Sequence, residues 1–257
     1  EQPPQEQPPQ EQPPQEQPPQ EQPPQEQPPA EIRQGWVTSE SGTQYYIDNV
    51  YVVGEKKIDG YWYYFDANGM MATGWTVQEA KPDKQYYYGA DGKMQYGWLT
   101  LENKTYYFHP SSGVMMKECE RKIDGKYYYF NADGTMATGW TKQAARPDKI
   151  YYYNPDGTMS YGEKKIDGHW YYFHERSGVM QTGWVNHHNH TYYYNPDGTM
   201  YYGEKKENGH WYYFKDRTGV MATGLTKHHN HTYYYNADGT MYYGEKKISG
   251  HWYYFKG

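Results

Sequence analysis

Nine tryptophans stand in a chain of 257 residues whose mean hydropathy is -1.22. An indole face can attract a quaternary ammonium ion through cation–π contact, and it also offers a flat apolar platform to a sugar ring. Placement follows two patterns. Trp36, Trp75, Trp98, Trp140 and Trp184 each follow a glycine, whereas Trp62, Trp170, Trp211 and Trp252 each stand in an aromatic run such as WYYF. Trp and Tyr favour recognition surfaces, so recurrent tryptophan in so polar a chain is read as lining ligand sites. Side chains alternate faces along a strand. Trp62 therefore shares a face with Tyr64, Trp170 with Tyr172 and Trp211 with Tyr213, and these tyrosines join the candidate set. Tyr63, Phe65 and their equivalents read as core.

Other reactive side chains carry less. His187, His188 and His190, and again His228, His229 and His231, form two His-His-Asn-His clusters. Imidazole is a common zinc ligand, but no carboxylate or Cys lies beside either cluster in sequence. Both are read as exposed polar hairpin loops, and no metal or cofactor is assigned. Cys119 replaces an otherwise recurrent glycine and has Glu118 and Glu120 beside Arg121 and Lys122; it reads as a drifted repeat position, since a reactive thiol needs an electropositive setting. The Glu-Lys-Lys runs at 55–57, 163–165, 204–206 and 245–247 read as solvated strand edges, where Lys discourages strand addition. No Ser-His-Asp arrangement, phosphate loop or isolated carboxylate pair stands outside the repeats, so no catalysis is expected.

The positioning elements come from a repeat. GEKKIDGHWYYFHERSGVMQTGWVNHHNHTYYYNPDGTMYYG, from Gly162 to Gly203, returns almost unchanged from Gly203 to Gly244. Each unit holds two halves, one opening Gly-Glu-Lys-Lys and one opening Gly-Trp or Gly-Leu. Half-repeats start at Gly35, Gly54, Gly74, Gly97, Cys119, Gly139, Gly162, Gly183, Gly203, Gly224 and Gly244, at intervals of 19 to 23 residues. Asp59-Gly60, Asp124-Gly125, Asp167-Gly168, Asn208-Gly209 and Ser249-Gly250 sit between strand-like runs and predict tight hairpins. A lone hairpin is marginal in water, but hairpins in series can bury their faces on each other. The fold class is therefore all-β, a solenoid of about eleven stacked hairpins over residues 31–257. Residues 31–53 are a degenerate end copy.

Residues 1–30 are EQPPQ repeats ending in EQPPA. They read as a semi-rigid polyproline spacer reaching up to ~90 Å at ~3.1 Å per residue. Their six Glu leave 25 acidic against 25 basic side chains in the remainder. That balance indicates no basic face for nucleic acid, and no apolar run approaches the ~20 residues of a membrane span. Aromatic rings, 19% of the chain with 35 Tyr, must supply the buried area that scarce Leu, Ile and Val cannot.

WYYFDANGMMATGW (62–75), YYYFNADGTMATGW (127–140) and WYYFHERSGVMQTGW (170–184) resemble the choline-binding and glucan-binding cell-wall repeats of Gram-positive surface proteins, and the resemblance covers 35–257. It implies hairpins wound into a left-handed solenoid, with ligand held between adjacent hairpins by aromatic rings and a nearby Met. Met71, Met180 and Met221 join the candidates on that basis. It also implies an extracellular, wall-associated module whose partner is choline on teichoic acid or an α-glucan. One departure matters. In choline-type repeats the Gly-Trp tryptophan is paired with a second Trp in the next strand, where this chain has Gln44, Gln85, Thr105, Ile150 and Thr191. A cage would then need rings from neighbouring halves. Host-glycan adhesion and targeting of a secreted hydrolase or glucansucrase are the alternative roles.

Overall fold

The computed structural model describes residues 32–256, and the expected spacer over 1–30 lies outside them. The chain divides between Val52 and Val53 into two compact units. The first contains three antiparallel strands, Gly35–Ser39, Gly42–Ile47 and Val50–Tyr51, in that order. Asp48 and Asn49 make the second turn at φ of 49° and 69°, in the left-handed region that Asn and Asp tolerate best among residues with a Cβ.

The second unit is all-β among its described residues. Ten antiparallel hairpins follow one another, each a two-stranded sheet of its own. Gly162–Ile166 and His169–Phe173 are typical, with Lys165 opposite Trp170 and Glu163 opposite Tyr172. Asp167 and Gly168 join them at φ of 48° and 86°. Both central residues have positive φ, as the Asp-Gly pair predicts. His188-Asn189 and His229-Asn230 adopt the same turn without a glycine.

The core is a row of rings. The last residue of the second strand is Phe or Tyr in each hairpin, and Phe65, Tyr88, Phe108, Phe130, Tyr153, Phe173, Tyr194, Phe214 and Tyr235 are wholly buried. A buried phenol needs a hydrogen-bond partner. Where the ring is Tyr, the last residue of the first strand is polar and meets it: Gln78 Nε2 donates to the Tyr88 hydroxyl at 2.8 Å and Gln143 Nε2 to that of Tyr153 at 2.8 Å. His187 Nε2 is bonded to the Tyr194 hydroxyl at 3.0 Å, and His228 Nε2 to that of Tyr235 at 2.9 Å. Where the ring is Phe, that position is Ile58, Leu101, Ile123, Ile166 or Ile248, with Glu207 the exception.

Loops tie successive hairpins together. The Met180 amide donates 2.8 Å to the Ile150 carbonyl of the preceding hairpin, and the Met200 amide 2.7 Å to that of Trp170. Each such Met side chain then covers the loop glycine of the following copy: Met71 lies on Gly92, Met180 on Gly198 and Met221 on Gly239. The loops from Met94 to Met221 thus each touch the copy before and the copy after, which is the nearest-neighbour coupling a solenoid requires.

Candidate functional site

Trp75, Trp98, Trp140 and Trp184 meet rings from the next hairpin. Trp140 stands edge-to-face with Tyr171, ring centroids 4.8 Å apart at 66°. Trp75 meets Tyr106 at 4.9 Å, Trp98 meets Tyr128 at 4.9 Å, and Trp184 meets Tyr212 at 4.8 Å, each near 67°. The sequence pattern sets this up. Gly at the strand start is followed by an outward Trp, while the third residue of the next hairpin's second strand turns its ring back towards it. Trp75, Trp98, Trp140 and Trp184 remain 39 to 43% exposed, so each pair presents an open aromatic corner and not a sealed core.

At Trp140 the corner opens on a cavity of about 340 Å³ lined by Trp140, Thr141, Lys142, Ile150, Tyr171, Met180 and Asp197. Two rings form adjoining walls, Met180 adds a polarizable one, and Ile150 stands where a second indole would complete a cage. Asp197, opposite in charge to Lys142, lines this opening. Its oxygen accepts from the Thr199 hydroxyl at 2.6 Å and from the Thr199 amide at 2.9 Å. These bonds hold its carboxyl below the usual carboxylate range, so it is anionic at neutral pH. Rings, thioether and a fixed negative charge together suit a small organic cation.

The other half-repeats build a different groove. Trp62 shares a cavity of about 270 Å³ with Tyr86, Met94 and Tyr96, and here the walls also carry Glu55 and Lys81. Lys81 Nζ reaches Glu55 Oε2 at 2.6 Å, so the Glu55 charge in this groove is already paired. Trp170 and Trp211 occupy the same strand position and remain exposed, as does Trp252.

The candidate tyrosines do not share one environment. Tyr64 is half-buried, with its hydroxyl accepting from the Glu79 amide at 3.1 Å. Tyr172 and Tyr213 are buried instead, each stacked on a histidine: Tyr172 on His187 at 4.2 Å and 7°, Tyr213 on His228 at 3.9 Å and 13°. The sequence reading missed the rings supplied across the joint, Tyr106, Tyr128, Tyr171 and Tyr212. Their signal was their constant place one residue after the strand-position tryptophan or its substitute.

The histidine clusters also depart from expectation. His187 and His228 are buried strand residues, not loop residues, and only His188 and His229 occupy the turns. A carboxylate does stand beside each cluster, although none is near in sequence: Glu163 and Glu204 reach it from the preceding hairpin.

Similarity to known proteins agrees with this architecture. The model of the choline-binding repeat matches residues 52–88, 82–118, 120–157, 148–182, 181–224 and 222–257. No curated protein sequence matches the chain. Among solved structures, the choline-binding domain of CbpL from Streptococcus pneumoniae is 31% identical, with 77% of this chain and 99% of that one covered at a TM-score of 0.55. CbpJ of the same species is 22% identical, with 84% and 96% covered and a TM-score of 0.60. Choline-binding protein F, solved with a peptidoglycan analogue, is 24% identical, with 85% and 95% covered and a TM-score of 0.54. With family matches running from residue 52 to 257 and the stacked hairpins in common, this chain belongs to the choline-binding repeat family.

Proposed function

We propose that the repeats bind choline residues of a wall polymer and so hold a surface or secreted protein on the cell wall without chemistry of their own. The observation that carries this is the corner at Trp140. A 4.8 Å Trp140–Tyr171 edge-to-face pair, Met180 and the anionic Asp197 converge on one opening. A neutral sugar gains nothing from the carboxylate as a counter-ion, whereas a quaternary ammonium uses both rings and charge. Equivalent ring pairs recur at Trp75, Trp98 and Trp184. Each site is weak alone, and a polymer engages several at once, so avidity far exceeds single-site affinity. Membership of the choline-binding repeat family supports the same reading.

The test is retention of the full chain on immobilised choline and on immobilised dextran. Retention on choline, elution by free choline and passage through dextran are expected, with binding weakened only in part between low and moderate salt, because screening acts on the exposed Asp197 charge and leaves the ring contacts in place. Retention on dextran that free choline does not reverse would replace this reading with a glucan platform. Binding that collapses in moderate salt and ignores Trp140→Ala and Trp184→Ala would move the site to the Glu-Lys-Lys stripe.

A further inference from the structure

The joints between hairpins contain an internal comparison. Glu55 opens one hairpin and Gln78 ends the first strand of the next; Gln78 Nε2 donates to Glu55 Oε1 at 2.7 Å. Glu120 and Gln143 repeat this at 2.6 Å. The same two positions are Glu163 and His187, and again Glu204 and His228. There the polar atoms stand farther apart, at 3.8 Å between His187 Nε2 and Glu163 Oε1 and 3.6 Å between His228 Nδ1 and Glu204 Oε1. A neighbouring imidazole completes each gap. His188 Nδ1 lies 3.3 Å from His187 Nδ1, and His229 Nδ1 lies 3.5 Å from His228 Nδ1. In each joint the three ligand atoms all lie within 4.8 Å of one another.

The separation between the two imidazoles in each joint suits two ligands of one ion. Nitrogen ligands at ~2.0–2.1 Å from a tetrahedral zinc are separated from each other by ~3.3–3.4 Å. The Nδ1–Nδ1 distances of 3.3 and 3.5 Å lie at that value. Two imidazoles and one carboxylate leave a fourth position open, a donor set suited to zinc and its neighbours and unlike the all-oxygen sites of calcium or magnesium.

The ligands are also held in place. The His187 ring lies between Tyr172 and Tyr192, at 4.2 Å and 7° from one and 4.0 Å and 4° from the other. His228 lies in the same way between Tyr213 and Tyr233. The bonds from His187 Nε2 to the Tyr194 hydroxyl and from His228 Nε2 to the Tyr235 hydroxyl engage the far nitrogen of each ring. With Nε2–H donating to the phenol, the Nδ1 lone pair is turned to the Nδ1 of the neighbouring imidazole, which is the outer-shell arrangement that orients metal-ligating histidines. His188 and His229 are exposed on the turn, and the Glu163 side chain is 29% exposed, which gives an ion access from solvent.

We propose that Glu163, His187 and His188, and equally Glu204, His228 and His229, each bind one divalent transition-metal ion of the zinc class, which clips one hairpin to the next where the upstream joints use a glutamine. The full chain, stripped with EDTA and dialysed, should take up two Zn²⁺ per chain in calorimetric titration. Glu163→Gln and His188→Asn should each reduce uptake to one, and His188→Asn/His229→Asn to none. Asn tolerates the positive φ of 48° and 47° at these turn positions, so the fold should survive, with an unchanged far-UV spectrum as the check. Zn²⁺ should raise Tm by about 4 °C or more in the parent chain and leave the double variant unmoved. Millimolar Mg²⁺ should not displace the ion. No uptake by the parent, two ions retained by the double variant, or displacement by Mg²⁺ would each overturn the assignment. Retention on choline should be equal for parent and double variant, so this test and that of the choline reading succeed or fail separately.

Discussion

Met180 covers Gly198 so closely that a Cβ on the glycine would stand 2.3 Å from the Met180 sulfur. Gly198 also has φ of 84°, in the region that costs an L-residue roughly 1–2 kcal/mol. The loop sequence Gly-x-Met, seen in Gly178-Val179-Met180 and Gly198-Thr199-Met200, therefore works between copies, since the Met of one loop packs on the Gly of the next. Gly168, in a hairpin turn at φ of 86°, has nothing within 4 Å of its would-be Cβ.

That contrast predicts two different costs. Gly168→Ala pays the backbone term alone, about 1–2 kcal/mol. Gly198→Ala adds an overpacking term of about 1–3 kcal/mol against Met180. Urea unfolding of both variants checks the order, and Gly198→Ala/Met180→Ala should be less destabilised than the sum of its singles. Equal losses for the two glycines would remove the inter-copy packing argument.

The pairing of Tyr with Gln or His, and of Phe with Ile or Leu, gives a second test. Ile123 and Phe130 lie in one buried cluster. Phe130→Tyr places a hydroxyl there without a partner, at a cost of about 1–3 kcal/mol. Ile123→Gln/Phe130→Tyr installs the pair found at Gln143 and Tyr153, and it should recover part of that loss. Additive losses in a denaturant double-mutant cycle would refute the pairing rule.

The repeat made the hairpins and their turns legible, because Asp-Gly and Asn-Gly state their φ requirement locally. The Met spacing was legible too, though not what each Met touches. Relations across a joint were not. Glu163 and His187 belong to different copies, and their approach depends on how one hairpin is placed on the next. Tyr172 shows the same limit. Alternation set its face correctly, but whether that face is covered depends on His187 of the following hairpin. Tyr171 on the opposite face meets Trp140 of the preceding hairpin, so the outward-looking side of the aromatic run could not be told from the run itself. The alternation of Gln, Leu, Gln, His and His at the strand end with the identity of the terminal ring was visible in the sequence and would have marked the buried polar positions.

Cys119 should be a slow thiol. Burial raises its pKa above the ordinary value, with Arg121 opposing only in part. The thiolate is the reactive form, and a raised pKa lowers its fraction at every pH below that pKa. Alkylation by iodoacetamide at pH 7.4 should run slower than for a free cysteine in urea, and the native rate should climb at higher pH than the denatured one. A native rate equal to or above the denatured rate would contradict this.

Excising residues 203–243 removes one Gly-Glu and one Gly-Leu half and rejoins Tyr202 to Gly244, which opens the same kind of half-repeat as Gly203. Nearest-neighbour coupling predicts a folded, shorter chain. Near-UV circular dichroism should keep its aromatic signal at reduced amplitude, and cooperative unfolding should persist. Collapse of both would mean that stability depends on contacts beyond adjacent copies.

Ile150 offers the most direct test of the aromatic corner. It lies in the Trp140 cavity with Tyr171 and Met180, at the strand position that Trp62, Trp170 and Trp211 hold in the other half-repeats. Its backbone carbonyl accepts from the Met180 amide, and a side-chain change leaves that bond in place. Ile150→Trp should therefore add a third ring without breaking the joint. A cation–π partner contributes about 0.5–2 kcal/mol, so affinity of this site for choline should rise about 2- to 30-fold, and the free choline needed to elute the chain should rise with it. Trp140→Ala removes a ring of the same corner and should lower elution concentration by a comparable factor, less than total loss because the corners at Trp75, Trp98 and Trp184 remain. Ile150→Trp/Trp140→Ala should return towards the parent, since one ring replaces another. If Ile150→Trp weakens choline binding while its Tm matches the parent, the ligand does not enter this corner and the rings at Trp140 and Tyr171 serve the joint alone.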